Sequence, residues 1–187
     1  MSVILTAACS HNLDMSNLAG AARQSYSLLN SLAFIKQNKN YFHRGAGGWR
    51  YRIDNDSTDN DDKGYIPLPD IYFENDRSTF SLTFYPHCVE IGTGYRYWNI
   101  YKDQQPEWFN DFRRELRDII NLFGATEVIY LPDNAHFLEI YFDKVSGLSY
   151  NQLKQIMQVE LGDPVTDFAK LDVKLHRQYF LDTFSDM

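Results

Sequence analysis

The chain has 187 residues, of which 44% are apolar and 23% are charged, and its 18 basic and 25 acidic side chains give a net charge of −7. This length and composition are typical of one globular domain with an ordinary core, spanning residues 1–187. The negative field would repel a phosphate backbone, so it argues against nucleic-acid binding and favours a basic protein partner.

The cysteine content and the hydropathy bear on where the protein works. Two cysteines, Cys9 and Cys88, are too few for a disulfide framework, and a reducing compartment is the simpler interpretation. No apolar run approaches the length of a membrane span. Residues 3–9 look a little like a lipoprotein cleavage box, but no Lys or Arg precedes them, which favours a first strand. The sequence therefore predicts a cytoplasmic protein without membrane binding.

The first regular elements are a short buried strand over Val3–Ala7 and a helix that runs to about Asn38. Asn12, Asp14 and Ser16 precede the helix and are the expected N-cap residues, because their side chains can accept hydrogen bonds from free backbone N–H groups. The residues of the core-facing side of this helix recur at helical spacing. They are Leu18, Ala21, Ala22, Ser25, Leu28, Leu29, Leu32 and Ile35.

An irregular excursion is predicted at about residues 41–69. It contains a glycine cluster, the short stretch Trp49–Arg52 and an acidic loop, Asp54–Asp62. The Trp49–Arg52 stretch mixes basic and aromatic side chains that can stack on bases, but the acidic loop beside it largely cancels its field. Alternating carboxylates in the loop suggest calcium binding. The glycine and glutamate expected of a calcium loop are missing, however, which favours a solvated loop.

Alternating apolar and polar residues predict strands over Ile71–Glu74, Thr79–Tyr85, Cys88–Ile91 and Tyr95–Tyr101. A helix is predicted over Pro106–Gly124, because its apolar side chains form one stripe at 3.6 residues per turn. Proline suits the first position of a helix, and glycine suits the left-handed residue that ends one. The stripe consists of Trp108, Phe109, Phe112, Leu116, Ile119, Ile120 and Phe123.

A second hairpin and helix follow. The arms of the predicted hairpin are Glu127–Leu131 and His136–Asp143. Ser149 and Gln152 then form a capping box at the start of a helix that Gly162 ends. For the remaining residues the pattern favours a short helix, an edge strand at about 171–176 and a loosely helical end.

The order of these elements predicts the fold class. A strand and a helix are followed by the excursion and then by two units of strand, strand and helix. Paired hairpins that each precede an amphipathic helix indicate an α+β fold, with an antiparallel sheet and helices packed mainly on one face.

The usual signatures of catalysis are missing from the sequence. It has no phosphate-binding loop, paired-histidine zinc motif, CxxC pair or GxSxG elbow, so it indicates no catalytic residue, metal or cofactor. Cys9 with His11, and His87 with Cys88, are close pairs from which a metal site can be imagined. Adjacent strand residues point to opposite faces, however, and free cysteines are usually core residues, which favours a buried thiol beside a turn histidine.

Tyrosines and acidic residues concentrate on one side of the predicted strands. If helices cover the side that carries Phe80, Leu82 and Phe84, these residues lie on the other side, where they would form a protein-binding surface. The alternative is that another part of the chain covers them, since periodicity fixes only which residues share a face. The predicted partner-binding residues are Tyr85, Tyr95, Tyr97, Tyr101, Glu139, Tyr141 and Asp143.

The leading hypothesis is a non-enzymatic binding protein that uses this face on a basic partner. A stoichiometric neutraliser of a toxic enzyme, of the bacterial immunity-protein kind, fits the size, acidity and aromatic content in general character. The rival is a small enzyme or ligand-binding protein with a pocket between the sheet and the excursion, and with His43, Asp70, His87 and Glu90 as acid–base groups. A third alternative is a homo-oligomer that buries the tyrosines in a self-contact.

Overall fold

A computed structural model describes residues 5–32, 49–54, 70–75, 80–93, 106–132, 148–167, 170–171 and 178–184. Within these ranges the chain forms seven strands and three helices. The elements are β1 (Leu5–Cys9), α1 (Leu18–Leu29), β2 (Trp49–Asp54), β3 (Asp70–Asn75), β4 (Phe80–Phe84), β5 (Val89–Thr93), α2 (Pro106–Leu122), β6 (Glu127–Pro132), α3 (Tyr150–Leu161) and β7 (Phe180–Thr183).

The strands form one sheet in the order β2-β3-β4-β5-β1-β6-β7. Every pair of neighbours is antiparallel, so the predicted α+β class with an antiparallel sheet is confirmed. Strand β1 lies in the interior, where Ala8 is paired with Glu90 of β5 on one side and with Ile129 of β6 on the other. The first strand of the chain is therefore held by two strands that follow much later.

Two helices pack against one side of the sheet, which we call face A. Ala7 and Cys9 of β1 point to this face and are fully buried in a large apolar cluster. Helix α1 contributes Ala21, Ala22 and Leu29 to the cluster. The small alanines let the helix axis approach the sheet closely. Helix α2 contributes Leu116, Ile119 and Ile120, and Phe123 follows directly after it.

The third helix packs against the opposite side, face B. Ala8 points to this face, because successive strand residues alternate between faces. It belongs to a second cluster, in which Leu153 and Met157 of α3 contact the sheet. The cluster lies over the β1–β6–β7 end of face B, with Ile129, Leu131, Cys88, Tyr150 and Tyr179 as its other buried members.

Helices α2 and α3 follow their sequence signals closely. Helix α2 begins at Pro106, and Gly124 has a φ of 77° after its end. The buried side chains from Leu116 onward match the predicted stripe, whereas the side chains of residues 106–112 lie outside the described part of the molecule. At the start of α3 both hydrogen bonds of the predicted capping box are formed, and Gly162, with a φ of 80°, ends the helix.

The predicted N-cap residues and the predicted C-terminal end of α1 are wrong. The N-cap is Asn17, whose Oδ1 accepts a hydrogen bond from the Gly20 N–H at 3.0 Å. The helix ends at Leu29 because side chains satisfy its last carbonyl groups: Asn30 Nδ2 donates to Tyr26 O at 2.8 Å, and Ser31 Oγ donates to Leu28 O at 2.6 Å. The part of the predicted helix after Leu32 lies outside the described residues.

The sheet also differs from the predicted hairpins. Strand β5 is paired with β4 and β1, and β6 with β1 and β7, so each of them has a partner on both edges. The predicted hairpin arms 95–101 and 136–143 lie outside the described residues. Strand β2 lies inside the region predicted as an irregular excursion and pairs with β3, and the acidic loop beyond Asp54 again lies outside the described residues.

The predicted structure of the C-terminal tail is wrong where it can be compared. Phe180–Thr183 is the edge strand β7, although a helical end was predicted there. Val165, predicted to lie in a short helix, forms an isolated parallel bridge with Phe180. Strand β7 forms because Phe180 and Asp182 point to face A and are buried there beside β6. None of the described helices has the length and apolar character needed to cross a membrane.

Candidate functional site

Two surfaces of the described residues carry polar side chains that can act on other molecules. The first, which we call the polar half-face, is the part of face B formed by β2 to β5. Cross-strand pairing aligns Tyr72 with Thr83, and Thr83 with Glu90, across this part of the sheet. Its described side chains are Arg50, Arg52, Tyr72, Ser81, Thr83, Tyr85 and Glu90.

The polar half-face is partly open. Arg50 and Arg52 are exposed, and its other described members are half-buried. The Arg52 guanidinium lies 4.8 Å from the centre of the Tyr72 ring, a cation–π contact that leaves the charge at the surface. On the other side of the surface, the Tyr85 hydroxyl donates to Glu90 Oε2 at 3.4 Å.

Of the predicted partner-binding residues, the structure describes Tyr85. It lies directly after β4, is half-buried, and packs against the second apolar cluster beside α3. This position puts it at the border between the covered and the open parts of face B. The other predicted members, Tyr95, Tyr97, Tyr101, Glu139, Tyr141 and Asp143, lie outside the described residues.

The second surface is a cleft at one end of the sheet. It lies between the chain segment after β1, the turn between β4 and β5, the start of β6 and the N-terminus of α3, and its volume is about 460 Å³. We call it the α3 cleft. Its lining residues are Ser10, His11, Asn12, Leu13, Pro86, His87, Thr126, Glu127, Ser149, Tyr150 and Asn151.

Helix α3 presents its N-terminus to this cleft. Within the capping box, Ser149 Oγ accepts a hydrogen bond from the Gln152 N–H at 3.3 Å, and Ser149 O accepts one from the Leu153 N–H at 3.0 Å. Tyr150 and Asn151 occupy the first two helical positions, whose N–H groups have no acceptor within a helix. The first turn contains no acidic residue. The helix dipole therefore gives this wall of the cleft a partial positive charge.

His11 is held in one protonation state in the wall of the cleft. Its Nδ1 accepts a hydrogen bond from the Leu13 N–H at 3.2 Å, so its Nε2, 2.7 Å from Tyr85 O, carries the proton and donates. Burial lowers the pKa of His11, and the nearby His87 also acts to lower it. His87 itself is exposed at the turn between β4 and β5. His11 thus has a structural role, and His87 is the histidine available to a ligand.

Two of the lining residues carry an ion-paired carboxylate and a buried hydroxyl. Glu127 Oε1 accepts a hydrogen bond from Lys154 Nζ at 2.6 Å, so its charge is compensated. Tyr150 is 5% exposed, and its buried hydroxyl has no hydrogen-bond partner among the described residues. Burial raises the pKa of Tyr150 far above its ordinary range, and the carboxylate of Glu127 raises it further. The Tyr150 hydroxyl is therefore a neutral donor.

The two cysteines are buried, protonated thiols. Cys9 and Cys88 are both buried. Burial raises the pKa of Cys88 to about 12 and raises that of Cys9 even more, so both stay neutral thiols at neutral pH. His11 and His87, the histidines of the two predicted pairs, do meet at the α3 cleft. Among the described residues, however, no group of three or more His, Cys, Asp or Glu side chains could hold a metal ion.

His87 and Glu90, two of the acid–base groups of the rival hypothesis, lie on different surfaces of the described molecule. His87 lines the α3 cleft, whereas Glu90 lies on the polar half-face and binds the Tyr85 hydroxyl. Asp70 is at the start of β3, paired with Asp54 at the edge of the sheet. His43 and most of the excursion lie outside the described residues, and so does the pocket predicted beside them.

No pattern in the sequence indicated Glu127 and Tyr150 as cleft residues. The available signal was the capping box at Ser149, which locates a helix N-terminus without an acidic first turn. What the pattern cannot show is that the ends of β1 and β6 and the β4–β5 turn meet there.

Comparison with known proteins adds no further assignment. The chain matches no protein-family model, and searches of curated proteins and of solved structures found no match either.

Proposed function

We propose that the protein is a non-enzymatic binding module that uses the polar half-face to dock a basic protein partner. The observation that supports this proposal is the contrast between the two sides of the sheet. On face A, Leu82 and Phe84 of β4 are fully buried under helices, whereas Ser81 and Thr83 of the same strand are half-buried on face B. Among the described residues, the apolar cluster under α3 reaches this part of face B only at Tyr85, which packs against its border.

The chemistry of the polar half-face suits a protein interface. Tyrosine combines an apolar ring with a polar hydroxyl, and Arg and Tyr are both enriched in the cores of interfaces. Tyr72 and Tyr85 supply such rings. Arg52 lies over the ring of Tyr72, and Thr83 is the cross-strand neighbour of Tyr72. Tyr72 and Thr83 lie in strands that are paired on both edges, so their backbone loses little conformational entropy on docking.

The preference for a basic partner comes from the charge of the whole chain. The net charge of −7 attracts a basic protein over a distance of about 10 Å at moderate salt and increases its association rate. A basic enzyme that is neutralised by one-to-one binding, as bacterial immunity proteins neutralise their toxins, belongs to this class of partner.

The test starts with affinity purification from the native host and continues with kinetics on each co-purifying protein. A basic partner is expected to bind one-to-one, with an association rate that falls as salt rises. Substitution Thr83→Arg places a bulky positive charge in the middle of the polar half-face and should weaken binding by about tenfold or more. The control Gln24→Arg makes the same charge change on the exposed side of α1 and should leave the affinity unchanged.

Two results would overturn the proposal. An association rate that does not change with salt would remove the electrostatic preference for a basic partner. Equal affinities of the wild-type protein, Thr83→Arg and Gln24→Arg would show that the partner binds elsewhere. Circular dichroism of both variants checks that the fold is retained.

A further inference from the structure

We propose that the outward side of α3 is a self-association surface, on which a second copy of this chain packs its own α3 in the antiparallel direction. This surface shares no residue with the polar half-face, so the inference does not depend on the protein-docking function. Three observations support it: an exposed apolar groove along the helix, the scarcity of charge in that groove, and a glutamate whose position is unfavourable within its own helix.

The groove lies on the side of α3 that faces away from the sheet. Leu153 and Met157 are buried against the sheet, whereas Val159 is 84% exposed, the largest exposure of any large apolar side chain among the described residues. The groove has a volume of about 300 Å³, and its lining residues are Leu148, Gln152, Gln155, Ile156, Val159 and Glu160. Their spacing of three and four residues makes one continuous stripe along the helix. Exposed apolar surface that is grouped in this way marks a contact with another protein surface.

The composition of the groove suits a second copy of an acidic chain. With a net charge of −7, two copies repel each other over most of their surfaces. Among the residues that line the groove, Glu160 is the single charged one. Gln152 and Gln155 are neutral and can exchange side-chain hydrogen bonds across a symmetric contact. Two copies can therefore meet here without placing a charge at the centre of the contact, and interface centres are depleted of charge.

The position of Glu160 points to an antiparallel partner helix. Glu160 lies in the last turn of α3, where the negative end of the helix dipole disfavours a carboxylate. The last turn contains no basic residue and the first turn contains no acidic one, so side chains in these turns do not compensate the dipole. In an antiparallel pair, Glu160 of each copy lies beside the first turn of the other helix, where the positive end of the dipole attracts it. A placement that is unfavourable within one chain becomes favourable in the pair.

A two-fold axis satisfies all of these contacts at once, because in such a contact each residue pair occurs twice. With the axis between Gln155 and Ile156, Val159 of each copy packs beside Gln152 of the other, and Glu160 lies next to the first helical turn. Antiparallel helices can pack along their length at a crossing angle of about 20°. Helix α3 has 12 residues and is about 18 Å long. A contact of this length is smaller than the interfaces of most stable complexes, so we expect a weak dimer.

The test is sedimentation velocity of the full chain at concentrations from about 10 µM to 1 mM, the range in which a weak dimer forms. The wild-type protein should pass from monomer to dimer within it. Val159→Lys places a charge in the contact and should raise the dissociation constant by about tenfold or more. The matched control Gln24→Lys makes the same charge change on the exposed side of α1 and should dimerise as the wild-type protein does. Both sites are exposed, so both variants should remain folded.

Substitution Glu160→Gln tests the antiparallel direction. It should raise the dissociation constant by about threefold or more, since the pair loses two contacts between a carboxylate and a helix dipole. In dilute, monomeric solution the same variant should melt at the wild-type temperature or above it, because a carboxylate is removed from the negative end of its own helix. Unchanged dimerisation, or a lower melting temperature of the monomer, would overturn the antiparallel arrangement.

Cross-linking locates the contact on the surface. In Gln155→Cys the two new thiols lie near the two-fold axis, so a short bismaleimide should link two copies. Gln24→Cys is equally exposed and should not be linked. Cys9 and Cys88 are buried and do not compete for the reagent. The proposal is overturned by a chain that stays monomeric over the whole concentration range, by equal dimerisation of Val159→Lys and Gln24→Lys, or by equal cross-linking of the two cysteine variants.

Discussion

The environment of His11 shows how one side chain can be committed to a structural role. Its two ring nitrogens are used in opposite senses, since Nδ1 accepts from the Leu13 N–H and Nε2 donates to Tyr85 O. This arrangement joins the segment after β1 to the turn after β4. A second proton on the ring would have to sit on Nδ1, where the Leu13 N–H already points, so the folded protein favours the neutral ring.

We predict that this histidine makes the protein less stable in mild acid. Because burial lowers the pKa of His11 in the folded state, the unfolded chain binds a proton at about pH 6.5 while the folded chain does not. The free energy of unfolding should therefore fall as the pH drops from about 7 to about 5, because protons bind the unfolded chain more readily than the folded one.

Urea denaturation of the wild-type protein and of His11→Gln at both pH values measures this effect. Glutamine cannot take up a proton in this range, so the loss of stability on acidification should be smaller in the variant. The same loss in both proteins would show that other groups cause the acid sensitivity.

At the scale of elements, a partly buried ion pair joins α2 to the edge strand β7. Arg113 donates from Nε to Asp182 Oδ2 at 2.8 Å and donates a second hydrogen bond to the same oxygen. Asp182 is 5% exposed, and the Arg113 guanidinium also lies 5.7 Å from the centre of the Phe180 ring. The short strand β7 thus depends on a helix as well as on its pairing with β6.

Substitution Asp182→Asn should destabilise the protein by about 2 kcal/mol, because it leaves the Arg113 charge without its buried partner. The matched comparison is Lys154→Gln, which breaks the more exposed ion pair with Glu127 and should cost less than about 1 kcal/mol. Thermal and urea denaturation measure both. Equal losses of stability in the two variants would contradict the idea that the Asp182 pair holds β7 in place.

The helix boundaries could be predicted because they depend on local signals. The tail strand β7 could not, because it depends on residues distant in the sequence. The capping box at Ser149 and the positive-φ glycines located the helix boundaries because such signals act within a few residues. The short tail strand, by contrast, owes its form to Phe180 pairing with Tyr130 and to the Asp182–Arg113 contact. Neither partner is near it in sequence, so its own pattern was ambiguous.

The candidate sites follow the same rule. Alternation along β4 correctly placed Leu82 and Phe84 on the covered face, and by the same logic placed Tyr85 on the other face. The α3 cleft could not be foreseen, because it requires the ends of β1 and β6 to be neighbours. His87 and the helix start at Ser149 could be identified from the sequence. Their proximity in the folded protein could not.

At the scale of the whole molecule, the strand order predicts a gradient of local stability. Strand β1 has a partner on each edge and is buried on both faces, whereas β2 has one described partner and exposed side chains at Arg50, Tyr51 and Arg52. Regions with many buried contacts open only on global unfolding, and edges open locally.

Hydrogen–deuterium exchange should therefore show the slowest amides in β1 and faster exchange in β2, by about tenfold or more. Mass spectrometry or NMR of the native protein measures it. Exchange in β2 as slow as that in β1 would contradict the gradient and show that the outer edge of β2 is protected in solution.

The interior position of β1 also has a consequence for biosynthesis. A ribosome releases residues 5–9 long before residues 89–93 and 127–132, yet the strand lies between those two segments in the finished sheet. Until both segments have left the exit tunnel, the apolar β1 segment cannot pair with β5 or β6. An unpaired strand of this kind is prone to aggregate with other nascent chains. Folding is therefore deferred until most of the polypeptide has been made, which makes the newborn chain a natural client for a holding chaperone.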